Sequence, residues 1–239
     1  MPASCFITGT DTDVGKTFVA CALLHAWREQ GLSAVGFKPV AAGAELHDGV
    51  LRNADALALQ AAGSAGFALD EINPLCLPDA CAPHIAAERI GQHIQIPPLQ
   101  AAFSSLRTRA DRVLVEGAGG FLVPLGADAD SPDMGDLATA LGLPVVLVVG
   151  LRLGCLNHAL LTQDAIAARG LEFAGWIGNV IDADMPFLQR NIETLQARMN
   201  APCLAILPRL ASPAEAAPLL QRRAGVQLPP LATVLPSSS

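Results

Sequence analysis

The feature that most restricts the fold of this chain is an alternation of short apolar runs with amphipathic stretches. Runs at residues 5–7, 34–37, 113–115, 145–149, 174–181 and 203–207 are continuously apolar, the pattern of strands buried on both faces of a parallel sheet. The stretches at 15–30, 53–62, 98–108, 134–141, 156–169 and 186–199 have helical character. Strand and helix in turn, joined by right-handed crossovers, predict an α/β fold: a doubly wound, mostly parallel sheet with helices on both faces. The balance of 51% apolar and 15% charged residues agrees with buried strands and argues against disorder.

The mean hydropathy is positive, yet the richest run, residues 143–151, is about half of what a bilayer-spanning helix needs. No basic segment followed by an apolar signal core opens the chain, so the expected location is the cytoplasm. A net charge of -7 repels nucleic acid and anionic lipid alike, and neither is an expected partner. The six cysteines are scattered, as in a reduced cytosolic enzyme. Cys76 and Cys81 with His84 lack the second cysteine pair that a tetrahedral zinc site requires. With no repeat and no linker rich in Pro, Gly or Ser, one domain over residues 1–228 is expected, followed by a frayed tail at 229–239. Stretches 72–86 and 117–135 break the rhythm and read as long loops.

Chemistry is concentrated where the first strand meets the first helix, in Gly9-Thr10-Asp11-Thr12-Asp13-Val14-Gly15-Lys16-Thr17. A glycine loop in that position surrounds phosphates with backbone N–H groups and a positive helix end. Lys16, a solvent-facing cation, reaches the outer phosphates, and the Thr17 hydroxyl is suited to magnesium. Thr10 stands where the common pattern has its first glycine, and the nearest glycine is one residue earlier. The expected class is P-loop NTPase-like.

Glu116 ends an apolar strand before Gly117, Ala118, Gly119 and Gly120, and a carboxylate there can hold magnesium beside a phosphate loop. By itself it is also an ordinary strand-end acid. Lys38, followed by Pro39, ends the second strand near the same sheet edge and offers a second cation. Asp55, taken alone, is a first-turn acid that favours the helix dipole.

Taken in order, GTDTDVGKT, GFKPVAAG, LRNADALAL, VLVEGAGGFLVPL, LPVVLVVGLRLGCLNHALLT and AGWIGNV resemble the dethiobiotin synthetase family over about residues 5–210. The resemblance implies closure of a cyclic urea on diaminopelargonate with carbon dioxide, ATP and magnesium, through a carbamate and a carbamic-phosphoric anhydride. It implies catalytic roles for Lys16, Lys38 and Thr12, and magnesium held by Thr17, Asp55 and Glu116. Nucleotide contacts are implied for Asp13, Val14, Gly15, Phe18, Gly117, Ala118 and Gly119, with Asn179, Leu207, Pro208 and Arg209 around the base. Substrate contacts are implied for Ala42 and Gly120, and for Gly154, Cys155 and Asn157 of a partner chain in a homodimer.

The segment from Gly154 opens a helix, so its free N–H groups suit a carboxylate. The alternative, less favoured, is an Asn157 that serves only to cap that helix. The family commonly has glutamate where this chain has Asp13 and serine where it has Ala42. The first change shortens a charged reach and the second removes a hydroxyl from the substrate side.

Two other classes fit the residues less well. Amide-forming relatives such as cobyrinate diamide synthases usually carry a glutaminase domain with a nucleophilic cysteine, and no cysteine here sits in an evident strand-to-helix elbow. Partitioning-type nucleotide switches generally place a lysine early in the loop, where this chain has Asp11, and the acidic charge disfavours DNA or lipid.

Overall fold

A computed structural model describes residues 4–221. In chain order the elements are β1 (Cys5–Gly9), α1 (Lys16–Glu29), β2 (Ala34–Phe37), β3 (Val40–Ala41), β4 (Glu45–His47), β5 (Val50–Arg52), α2 (Ala54–Ala62), α3 (Leu69–Ile72), β6 (Leu75–Cys76), α4 (Pro83–Arg89), α5 (Ile96–Arg107), β7 (Arg112–Gly120), α6 (Met134–Leu141), β8 (Val145–Leu151), α7 (Cys155–Ala168), β9 (Phe173–Val180), α8 (Leu188–Arg198), β10 (Cys203–Leu207) and α9 (Pro213–Gln221).

The six apolar runs become one parallel sheet in the order β10-β9-β8-β1-β7-β2. Every residue of β1 and of β8 is buried, which is why these strands read as unbroken apolar runs rather than alternating ones. Neighbouring residues of β2 show the two covered faces. A Cβ on Gly36 would lie 2.8 Å from Leu59 of α2 and 3.2 Å from Leu24 of α1. The Phe37 ring centroid instead lies 6.3 Å from that of Phe103 in α5. In β8, Val146 and Val148 join the core cluster containing α1, whereas Leu147, Val149 and Leu151 join a second cluster with Ala159 of α7 and Leu195 of α8. The helix α9 packs against α1.

From β1 the chain leads towards β2, on the β7 side, and from β8 it leads to β9 on the other side. Connections that part in opposite directions leave a crevice at the carboxyl edge between them, the usual ligand position in open α/β sheets.

Several boundaries differ from the sequence expectation. The strand expected at 113–115 runs on to Gly120 as β7, because Gly120 pairs with Gly9 in the ladder although its composition is that of a loop. Stretch 72–86 holds β6, which pairs with β3, and the start of α4. The hairpin β4–β5 and the helices α3 and α9 were also unexpected; α9 carries Pro218 in its interior. The tail at 229–239, and residues 222–228 of the expected domain, lie outside the described residues. Among the described residues no helix is long and apolar enough to cross a membrane.

Candidate active site

The glycine loop spans the gap between β1 and α1 at the carboxyl edge. Gly15 caps α1 in the left-handed region at φ 89°, and a Cβ there would fall 2.2 Å from Asn179 Nδ2. Glycine is therefore required both for the turn and for the close approach. Asp13 also has positive φ, which aspartate tolerates better than most residues. The loop is moored to two strands on one side, β8 and β9: the Thr10 N–H donates to the Val148 carbonyl at 3.0 Å, and Asn179 Nδ2 donates to the Val14 carbonyl at 3.0 Å.

Lys16 opens α1 and is only 7% exposed, which corrects the expectation of a solvent-facing cation. Its Nζ donates to the Asp11 carbonyl at 2.8 Å. Burial, and then the charge of Lys38, push its ammonium below the usual lysine range, against the opposing pull of Glu116, Asp55 and Asp13.

Glu116, on β7, is completely buried. Its Oε1 accepts from Thr17 Oγ1 at 2.7 Å and from Lys38 Nζ at 2.6 Å, while Oε2 is buried without a hydrogen-bond partner. Lys38 Nζ also lies 3.0 Å from Asp55 Oδ2. For Lys38, burial favours the neutral amine, but Glu116 and then Asp55 outweigh it and raise the pKa. For Asp55, burial would raise the pKa, and Lys38, with help from Thr17 and Lys16, holds it below the ordinary carboxylate range.

The sequence reading missed the side chains that set this cluster. Asn53 caps α2: its Oδ1 accepts from the N–H groups of Asp55 and Ala56 at 3.0 and 3.3 Å, and its Nδ2 donates to the Ala42 carbonyl at 3.2 Å. One side chain therefore orients both the acid and the loop that carries Ala42. An asparagine at the start of a helical stretch was the available signal. Asn73 Nδ2 donates to the Lys38 carbonyl at 2.7 Å, and the Lys38 N–H donates to the Ile72 carbonyl at 2.8 Å. Nothing in the local pattern marked Asn73.

Two clefts flank the loop. The first, of about 590 Å³, is lined by residues including Thr12, Asp13, Lys38, Ala42, Asp55, Cys81, Ala118 and Gly119. The second, of about 260 Å³, is lined by Phe18, Asn179, Val180, Ile181, Arg209 and Leu210. Leu210 is thus an additional lining residue.

Further expected site residues line neither cleft. Leu207 and Val14 have their side chains in the core, and Pro208 lines neither cleft. Gly117 offers its carbonyl to Lys38 Nζ at 3.4 Å, and Gly120 lies in the β1–β7 ladder. Gly154, Cys155 and Asn157 line neither cleft of their own chain, and the Cys155 side chain is buried in the second core cluster.

Among the described residues no group of three His, Cys, Asp or Glu side chains is assembled for a metal ion. One hydroxyl and two carboxylates, with Glu116 Oε2 unpartnered, nevertheless fit a hard divalent cation that takes its remaining ligands from phosphate and water.

The parallel sheet and the glycine loop that opens α1 define a P-loop nucleotide-binding protein, and a family model described as an AAA domain matches residues 3–216. Solved structures agree on the fold. A chain of the MinC:MinD cell division protein complex of Aquifex aeolicus aligns with TM-score 0.59 at 15% identity, covering 95% of this chain and 98% of that one. A ParA family ATPase of Chlorobium tepidum aligns with TM-score 0.55 at 12% identity, covering 92% and 96%.

Curated relatives are much closer in sequence. The ATP-dependent dethiobiotin synthetase BioD of Aromatoleum aromaticum is 55% identical over 92% of this chain and 97% of its own length. The protein of the same description from Cellvibrio japonicus is 52% identical over 86% and 89%. The chain belongs to the ATP-dependent dethiobiotin synthetase family.

Proposed function

We propose that the chain closes the cyclic urea of dethiobiotin from 7,8-diaminopelargonate, carbon dioxide and ATP, releasing ADP and phosphate. One amine adds to carbon dioxide and loses a proton, giving a carbamate. A carbamate oxygen then attacks the γ-phosphorus and ADP leaves. The second amine attacks the carbonyl carbon of the resulting mixed anhydride, phosphate departs, and the ring closes. No step needs a nucleophilic side chain; the work is positioning and charge neutralisation.

The observation that carries this reading is the cluster of Thr17, Lys38, Asp55 and Glu116, two of which, Lys38 and Asp55, line a cleft that also has an apolar wall, with Lys16 held beside it at the start of α1. Lys38 from the cleft wall and Lys16 from the loop would neutralise the negative charge that builds up on the carbamate and the phosphoryl group. Thr12 borders the same cleft. Thr17, Asp55 and Glu116 would hold magnesium, directly or through water, and the ion supplies further neutralisation of the phosphoryl oxygens. Phe18, Asn179 and Arg209 border the cleft suited to the base.

The Gly154–Asn157 segment is proposed to meet the substrate carboxylate from the other subunit of a cytoplasmic homodimer, a reading consistent with its lining neither cleft of its own chain. The test is direct: purified protein with ATP, magnesium, bicarbonate and diaminopelargonate should yield dethiobiotin by mass spectrometry. Phosphate release without that product would overturn the reading.

A further inference from the structure

Arg152 comes immediately after β8 and lines neither of the two clefts. Its Nη2 pairs with Oδ2 of Asp11, a contact that spans 141 positions of sequence. Asp11 is in turn the hub of the loop. Its Oδ1 accepts from the Thr12 N–H at 2.8 Å, and its carbonyl accepts from Lys16 Nζ at 2.8 Å. Just before it, the Thr10 N–H donates to the Val148 carbonyl, and Thr10 Oγ1 accepts from the Gly150 N–H at 3.4 Å. The first half of the phosphate loop is therefore bound to the end of β8, with Arg152 supplying the only side-chain cation paired with Asp11 among the described residues.

We propose that Arg152 is a positioning residue for phosphoryl transfer: by holding the Asp11 carboxylate it fixes the turn from which Thr12 and Lys16 reach the reacting groups. Both members of the pair are roughly half-exposed, and such pairs add little to folding stability. Geometry is more sensitive than stability, since a displacement of about 1 Å at the reacting centre can cost on the order of 100-fold in rate. A residue of purely structural importance would move the melting temperature; Arg152 should move kcat instead. The inference rests on the reading of Thr12 and Lys16 as transfer residues, so Lys16→Met is the reference. If that variant turns over normally, the reading itself fails, whatever Arg152 does.

The experiment is a double-mutant cycle on the full chain, with Arg152→Ala, Asp11→Asn and the double variant measured for kcat, both KM values and melting temperature. Arg152→Gln replaces Arg152→Ala if the latter does not fold. Expected is a fall in kcat of roughly 10- to 100-fold, little change in melting, and a double variant no slower than the slower single one. Arg152→Lys, which restores a point charge without the planar fork, should recover part of the loss. Wild-type kcat in the alanine or glutamine variant, or losses that multiply in the double variant, would overturn the proposal. So would an effect confined to KM for the diamine, because Arg152 would then be meeting substrate rather than the loop.

Discussion

Replacing Lys38 by methionine keeps most of the side-chain volume, removes the charge and should destabilise the fold. Glu116 is completely buried, and Lys38 is its paired cation at 2.6 Å; Asp55 shares the same ammonium at 3.0 Å. Removing one partner of a buried pair leaves an uncompensated charge, which costs about 3–5 kcal/mol. For a domain of this size each kcal/mol moves the melting point by about 2–4 °C, so a fall of roughly 10 °C is expected in calorimetry without metal. Lys38→Met/Glu116→Gln removes both charges and should regain much of that loss.

Magnesium alone should stabilise Lys38→Met more than the wild type, where Lys38 already neutralises the carboxylates. A ligand at 100 times its Kd contributes about 2.7 kcal/mol. The neighbouring Lys16→Met gives the opposite sign. Its ammonium is held below the usual lysine range, so the folded state disfavours the charge, and that cost is present at neutral pH and relieved only as pH rises through the folded pKa. Lys16→Met should melt no lower than the wild type. If Lys38→Met melts with the wild type, or gains no more from magnesium than it does, the cluster does not act as an internally neutralised cation site.

The remaining predictions concern function. Lys16→Met should keep its circular dichroism while dethiobiotin formation falls to near zero; turnover near the wild-type rate would remove Lys16 from the mechanism. Among the cysteines, burial pushes the thiols of Cys5 and Cys21 to about 12, whereas Cys81 is exposed on the wall of the first cleft. Iodoacetamide at pH 8 should therefore label Cys81 first by peptide mass spectrometry, and the diamine should slow that labelling; no protection would place the diamine elsewhere. Mixing Asn157→Asp with Lys16→Met should restore activity if each site combines the loop of one chain with the α7 start of the other. No recovery despite demonstrated subunit exchange would confine each site to one chain.

Local chemistry was legible in the sequence and long-range pairing was not. The strand at 34–37 and the helix at 134–141 were placed to the residue, because each is bounded by a change of periodicity that neighbouring residues impose. The loop ending in Lys16 and Thr17 was legible because its residue types are dictated by what they touch. Taken alone, Asp55 reads as a helix-dipole acid, and only the family resemblance implies a magnesium role for it. It does sit in the first turn of α2, but its second role, against Lys38, depends on packing α2 over β2. The pairing of Asp11 with Arg152 depends on β8 lying beside β1, a fact of strand order that no window of residues contains. A charge in a glycine loop usually faces solvent, but burial and the Asp11 carbonyl enclose Lys16 here.

Strand order also fixes how the proposed nucleotide must lie. Read across the sheet, the carboxyl ends deliver Lys38 after β2, Glu116 on β7, the phosphate loop after β1, Arg152 after β8, Asn179 on β9 and Arg209 after β10. The paired acids and Lys38 thus stand on the β7–β2 side of the loop, and the cleft of Phe18, Asn179 and Arg209 stands on the β9–β10 side. A nucleotide whose phosphates lie in the loop meets suitable groups on both sides with its base towards β9 and its terminal phosphate towards β7. That direction brings the γ-phosphate to the cleft bordered by Thr12, Lys38 and Ala42, where an acceptor with an aliphatic body finds charge on one wall and the apolar Ala80–Pro83 segment on the other. The opposite orientation would put the triphosphate beside Phe18 and Leu210, where among the described residues Arg209 is the one cation lining the cleft and no carboxylate lines it to share a metal ion.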